Sequence, residues 1–174
     1  MRHAFKIPEP IRAAVKEHVR KALDEVPPER YNQESTYVSA LLNRLASTKP
    51  IYDGPEGLVT FESTIVDDRG RGSAEHEFGA DFAITATVSD TKVAIKKAIL
   101  GQAKRCREGR IRVSDFEDLE QQINKMRQYT RNPKVLLLDE YAGRRVPRIV
   151  SGNIILKDRS TKDIRWKTTS VPVY

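Results

Sequence analysis

The chain has 174 residues and a formal net charge of +7, which suits one domain with a substantial core and favours phosphate-bearing partners or anionic membrane surfaces. Its single cysteine, Cys106, excludes an internal disulfide and a cysteine-based zinc cluster. No apolar run approaches the roughly 20 residues of a membrane span, and the N-terminus lacks the apolar core of a signal peptide. We therefore expect a cytoplasmic protein without a membrane partner.

Two helices are predicted at the start of the chain. Apolar residues at helical spacing between 10 and 26 indicate the first, which the proline-rich "VPPER" ends. The second is expected after Asn32 as its N-cap, with an apolar stripe from Tyr37 to Leu45. A loop rich in proline and glycine, "STKPIYDGPEG", follows.

Three strands, a helix and a further strand come next. The segments "LVTFESTIVDD", "FGADFAITATV" and "VAIKKAILGQAK" predict a meander, with "RGRGSAEHE" as a turn between the first two. "VSDFEDLEQQINKMRQYTR" predicts a helix and "NPKVLLLDEY" a buried strand, while the remainder suggests short strands and turns. This order predicts an α/β fold in which helices flank a mixed central β-sheet.

Polar side chains stand at the ends of two of these strands. Asp81 lies near the start of one, and Gln102 and Lys104 share a face at the end of the next. Because paired antiparallel strands bring those ends together, the three side chains can form one site. A carboxylate with further oxygen ligands suits Mg²⁺, and a lysine can orient water or neutralise charge on a phosphoryl group. The structural alternative is that Asp81 caps a turn and Lys104 extends to solvent.

The pattern "GADF…ILGQAK" resembles the PD-(D/E)xK nuclease superfamily, which has the restriction-endonuclease-like fold, and especially its QxK variant in bacterial anti-phage defence. The resemblance spans roughly Glu34 to Tyr141. It implies one nuclease domain over 1–174, with an N-terminal helix at 1–30, a nuclease core at 31–141 and C-terminal strands at 142–174. It also implies an endonuclease that uses Mg²⁺ or Mn²⁺ to hydrolyse DNA phosphodiester bonds in antiviral defence or restriction.

The resemblance assigns roles to the motif residues. Asp81 matches the metal-binding acid of the first motif, and Gln102-Ala103-Lys104 matches the acid–x–Lys motif. Gln102 and the carbonyl of Ala103 would then be metal ligands, and Lys104 would assist the attacking water. The chain departs from the family at two places: "GA" replaces a proline before Asp81, and Gln102 replaces an acid.

Three glutamates could supply the missing carboxylate. Glu34 matches an acid that the family carries on the helix before the sheet, and it precedes the apolar stripe of the second helix. Glu75 lies in the glycine-rich approach to Asp81 that related domains share, as does Glu77. The alternatives are a favourable helix-dipole contact for Glu34 and solvated turn positions for the other two.

Six further residues are candidate DNA contacts: Gln122, which matches a helix glutamine of the superfamily, and Arg69, Arg71, Arg144, Arg145 and Arg148. Exposed solubilising side chains are the alternative for all of them.

A homodimer and a sensor or ATPase partner are also expected, because cutting two strands needs two sites and the chain ends in the apolar "TTSVPVY". Two other functions stay open: a non-catalytic DNA-binding module of the same fold, and a nuclease that acts on RNA.

Overall fold

Two helices precede the sheet in the computed structural model of the chain. It describes residues 7–65, 74–89, 94–108, 110–141, 144–157 and 171–172. Helix α1 spans Glu9–Glu25 with a proline in its first turn, where a missing N–H breaks no helical hydrogen bond. A 3₁₀ turn at Pro28–Arg30 leads to α2, Glu34–Leu45, which buries the predicted stripe from Tyr37 to Leu45. Within these ranges no helix is both long and apolar enough to span a membrane.

In the part of the chain that the structure describes, seven strands form one mixed sheet in sequence order. They are β1 (Tyr52–Gly54), β2 (Gly57–Ile65), β3 (Phe82–Ser89), β4 (Ala94–Arg107), β5 (Lys134–Tyr141), β6 (Arg144–Ser151) and β7 (Val171–Pro172). Every neighbouring pair is antiparallel except β4 and β5, which are parallel and are joined through helix α4, Val113–Met126. The predicted meander is therefore confirmed as β2–β3–β4, and so is the buried strand after α4.

Helices cover both faces of the sheet. On one face, α1 and α2 pack their apolar residues against Phe82, Ala103, Leu136 and Leu138. On the other, α4 and the short helix α5, Gly152–Lys157, pack against Val135, Leu137 and Val150. Alternate residues of β5 thus serve opposite cores, which is the burial expected of a strand covered on both faces. The α/β class with a mixed, helix-flanked sheet is confirmed.

Six details differ from the sequence prediction. The predicted loop at 47–57 contains a short strand, β1, and β4 continues three residues beyond Lys104, to Arg107. Helix α2 begins at Glu34 after Gln33, which gives no side-chain cap, so Asn32 is not its N-cap. Part of the predicted turn is a short helix, α3, at Ala74–Phe78. Helix α4 ends at Met126, five residues earlier than predicted, and α5 lies in a region where only strands and turns were expected.

Candidate metal centre

A tight approach to β3 positions Asp81. Gly79 has φ +69°, and a Cβ added there would lie 2.5 Å from the carbonyl oxygen of Gln122, so this segment packs directly on the backbone of α4. Asp81 immediately precedes β3, rather than lying inside it as predicted, and its N–H donates to the Gly101 carbonyl over 2.9 Å. Because the first residue of β3 pairs with Gly101, Asp81 faces Gln102.

Two carboxylates occupy the edge of β4 beyond the point where β3 begins. In a strand, the N–H groups of alternate residues point to the same side, and those of Ala103 and Arg105 point to the side of β3. Ala103 donates to Asp81 Oδ2 over 2.8 Å, and the N–H of Arg105 donates to Glu34 Oε1. The carboxylates therefore bind strand positions two residues apart, about 7 Å by the rise of a strand.

The amide of Gln102 lies beside the Asp81 carboxylate and the Ala103 carbonyl. The residue is 2% exposed, and its Nε2 donates to Asp81 Oδ2 over 2.6 Å and to the Ala103 carbonyl over 3.4 Å. Its Oε1 is buried and accepts no hydrogen bond from the part of the chain that the structure describes. Amide oxygen and nitrogen are nearly the same size, so a half-turn of the amide would direct Oε1 at the same two oxygens. Three oxygens facing one point suit a divalent cation.

The surroundings of Glu34 act on its pKa in opposite directions. Burial raises the pKa of Glu34 above its ordinary value, and the negative charge of Asp81 acts in the same direction. The hydrogen bond from Arg105 and the positive charges of Lys104 and Arg105 oppose that shift and favour the carboxylate. The charges of Asp81 and Lys104 thus both act on Glu34.

Lys104 lies on the same face of β4 as Gln102, one residue beyond the Ala103 carbonyl. Its side chain is half-buried, and its ammonium forms no ion pair with any residue that the structure describes. Asp81 lies just before β3 and faces Gln102, whereas Gln102 and Lys104 lie within β4 rather than at its end, because the strand continues to Arg107. The catalytic and metal-binding roles of these residues stay predictions.

The other predicted contacts are spread over the molecule. Gln122 lies on α4 against Gly79, two residues before Asp81. Arg144 is exposed at the start of β6. Four predictions lie wholly or partly outside the described residues: Arg69 and Arg71 entirely, and the side chains of Glu75 on α3 and Arg145 on β6.

Arg148 pairs with a residue that the sequence analysis missed. Its Nε lies 3.7 Å from Oδ2 of Asp139, which is 3% exposed on β5. Cys106 also contacts this carboxylate, and burial, followed by the charge of Asp139 and a hydrogen bond to it, raises the pKa of the Cys106 thiol. The signal was present in "VLLLDEY", where one carboxylate follows four apolar residues of a buried strand.

The donor atoms gathered along the β3 side of β4 are of the kind that a divalent cation binds. Asp81, Glu34, Gln102 and the Ala103 carbonyl offer oxygen atoms only, which are the ligands that Mg²⁺ prefers. Within the described ranges, no group of three or more His, Cys, Asp or Glu side chains is arranged to hold a metal, so this centre would rest on two carboxylates with amide and carbonyl oxygens. No protein-family model matches the chain, and no curated protein matches it in sequence.

Proposed function

We propose that the chain is a metal-dependent endonuclease that hydrolyses DNA phosphodiester bonds. The observation that carries the proposal is the pair of carboxylates on one edge of β4, where Asp81 binds the N–H of Ala103 and Glu34 binds that of Arg105. The Ala103 carbonyl lies on the same edge, and the buried Oε1 of Gln102 lacks a donor within the described residues. Such an arrangement supports a cation site better than a purely structural role.

The order of elements supports membership of the PD-(D/E)xK superfamily and a restriction-endonuclease-like core. Helix α2 carries Glu34, the β2–β3–β4 meander carries Asp81 and the Gln-x-Lys motif, and α4 returns the chain to β5 beside β4. This is the order on which the sequence resemblance relies. A role in bacterial anti-phage defence or restriction is a prediction of that resemblance.

Each residue of the site then has a distinct task. Asp81, Glu34, Gln102 and the Ala103 carbonyl would hold Mg²⁺ or Mn²⁺, which lowers the pKa of a bound water and stabilises charge on a phosphoryl oxygen. Lys104 would bring its ammonium to the same face of β4 as Gln102, where it orients the attacking water or stabilises the negative charge that develops on phosphorus-bound oxygens. The net charge of +7 attracts the DNA backbone without reading its sequence.

The test is digestion of supercoiled plasmid, linear duplex, single-stranded DNA and RNA in parallel, with Mg²⁺, Mn²⁺, Ca²⁺ or EDTA. We expect nicking or degradation of DNA with Mg²⁺ or Mn²⁺ and none with EDTA. Cleavage of RNA alone would replace DNA by RNA as the substrate. A full set of inactive reactions with purified, folded protein would contradict the proposal.

One observation favours a second function, a DNA-binding module without catalysis. Both carboxylates are already hydrogen-bond acceptors for β4, and Gln102 replaces the acid of the motif, so the centre carries less negative charge than is usual in the superfamily it resembles. Salt-dependent DNA binding with no cleavage under any divalent metal is the result expected of this alternative.

A further inference from the structure

An apolar cavity lies between the first two helices and the sheet. Its volume is about 190 Å³, and every described residue that lines it is apolar, including Val19 and Leu23 of α1 and Leu41 of α2. An engineered cavity of about 150 Å³ with walls of this kind stays dry and binds benzene. Because a void denies its walls the contacts of close packing, a hydrocarbon group that enters this cavity gains those contacts.

The cavity reaches solvent beside two residues of its sheet wall. Ile99 on β4 and Ile149 on β6 both line it, and they are 40% and 38% exposed. On β5, between those strands, Lys134 pairs with Gly101 and Ser151, which lie two residues beyond the two isoleucines. Paired residues, and alternate residues of one strand, share a face of a sheet. Lys134 is therefore a diagonal neighbour of both isoleucines at this opening, roughly 7–8 Å from each.

A second lysine lies beside the helical wall of the cavity. Lys16 is exposed on α1, three positions before Val19 and seven before Leu23, which is the spacing of one helix face. Neither Lys16 nor the half-buried Lys134 forms an ion pair with any residue that the structure describes. A lysine stem packs along apolar surface while its ammonium stays in water, so both side chains can reach an anionic group at the opening.

We propose that the cavity binds a single alkyl chain with an anionic head group, of the size of a medium-chain fatty acid. The chain enters the cavity, and the head group contacts Lys134 and Lys16 at the opening. A methylene group is about the size of a water molecule, whose share of liquid volume is about 30 Å³, so the 190 Å³ of the cavity hold about six methylenes. Octanoate, whose hydrocarbon chain is close to that length, is therefore the probe. The inference goes beyond the proposed nuclease function, and its test uses neither DNA nor metal, so either can fail alone.

Methyl NMR of isoleucine-labelled protein shows where the chain binds. Ile84 and Ile99 line the cavity, whereas Ile123 and Ile155 lie in the core on the other face of the sheet. We expect octanoate to shift the methyl signals of the first pair, to leave those of the second pair unchanged, and to raise the midpoint of thermal unfolding as its concentration rises. No shift at the first pair, or equal shifts at all four residues, would overturn the proposal.

The same titration with related ligands separates the chain from the head group. Hexanoate is two methylene groups shorter than octanoate and should bind about 10-fold more weakly, because less apolar surface leaves water. Octylammonium carries the same chain with the opposite charge and should also bind about 10-fold more weakly. Equal affinities for hexanoate and octanoate would show that the chain is not buried, and equal affinities for octylammonium and octanoate would show that the opening does not select an anion; either result overturns the proposal.

Lysine variants test the head-group contacts without touching the core. Lys134→Gln and Lys16→Gln should each weaken octanoate binding about 2- to 5-fold, since each removes one partly solvated charge contact. Lys157→Gln is the matched control, because it removes the same net charge from an exposed position on α5, which packs on the opposite face of the sheet. Octanoate binding by the two lysine variants that is as tight as binding by Lys157→Gln would contradict the assigned contacts.

Discussion

Glu34 accepts a hydrogen bond from the backbone N–H of Arg105, although the two residues lie 71 positions apart. The guanidinium of Arg105 donates in turn to the carbonyl of Asn32, two residues before Glu34. These bonds attach the start of α2 to the exposed edge of β4. They place the second carboxylate of the candidate centre beside the strand that carries Gln102 and Lys104.

Glu34→Gln should change how stability depends on pH. Burial raises the pKa of Glu34 above its ordinary value of 4.5, so the folded chain binds a proton more tightly there than the unfolded chain does. The resulting stability is fully present below that value and is lost as pH rises through the folded pKa. Glutamine mimics the protonated acid, so the unfolding free energy of the variant should exceed that of wild type by most at neutral pH. Urea unfolding across a pH series without metal measures this difference. A difference that does not change with pH would contradict the raised pKa of Glu34.

Two substitutions of Asp81 should differ in their effect on stability but not in their effect on metal-dependent activity. Asp81→Asn keeps an oxygen that can accept from Ala103 and Gln102, whereas Asp81→Ala leaves both donors without it. We expect the alanine variant to lose about 1–3 kcal/mol of unfolding free energy and the asparagine variant much less. Both should lose cleavage, because neither provides the carboxylate. Urea unfolding and plasmid digestion test the two effects, and full activity of Asp81→Asn would remove Asp81 from the metal site.

Lys104→Ala should abolish most cleavage while the chain stays folded. Its ammonium makes no ion pair with any described residue, so its loss breaks no described ion pair, but it removes a positive charge that acts on Glu34. Lys97→Ala is the matched control, because Lys97 is an exposed lysine on the same strand, seven positions away. We expect a loss of about 100-fold or more for Lys104→Ala and none for the control. Equal activity of the two variants would exclude a catalytic role for Lys104.

Gly79→Ala should destabilise the protein through the backbone. A side chain at φ +69° costs about 1–2 kcal/mol, and here the added Cβ would also lie 2.5 Å from the Gln122 carbonyl oxygen. Gly152→Ala is the comparison, since its Cβ would meet Ile123 at 3.0 Å without a positive φ. Urea unfolding should show the larger loss for Gly79→Ala. Equal losses would mean that the left-handed turn before Asp81 carries no particular constraint.

The sequence predicted those parts of the fold and site that depend on local periodicity and on nearest-neighbour strands. The alternation of side chains along two consecutive strands was enough to predict that Asp81 lies near Gln102, because strands that follow each other in sequence usually pair in the sheet. The stripe of α2 likewise placed Glu34 facing the sheet. The start of β3 was misjudged because apolar Phe78 and Ala80 continue the strand-like pattern, while the positive φ of Gly79 and its contact with α4 delay pairing.

The pairing of Asp139 with Arg148 could not be predicted in the same way. It depends on the register between β5 and β6, and Ala142-Gly143 between them is not one of the dipeptides that identify a two-residue hairpin from sequence. A carboxylate in a buried strand indicates that a partner exists, but it does not identify which of the nearby arginines provides the charge. Only the strand register shows that Arg148 lies beside Leu137 and diagonally across from Asp139.

The distance along the chain between the bonded groups has a consequence for the order in which the centre forms during folding. Asp81 reaches Gln102 and Ala103 within one hairpin, across 21 and 22 residues, whereas Glu34 must be carried to Arg105 across 71. Closing a longer loop costs more chain entropy, so local hairpin contacts form more readily than the docking of α2. The first half of the centre can thus assemble with the β3–β4 hairpin, and the second only when α2 packs on the sheet, so full metal affinity would report that α2 has docked.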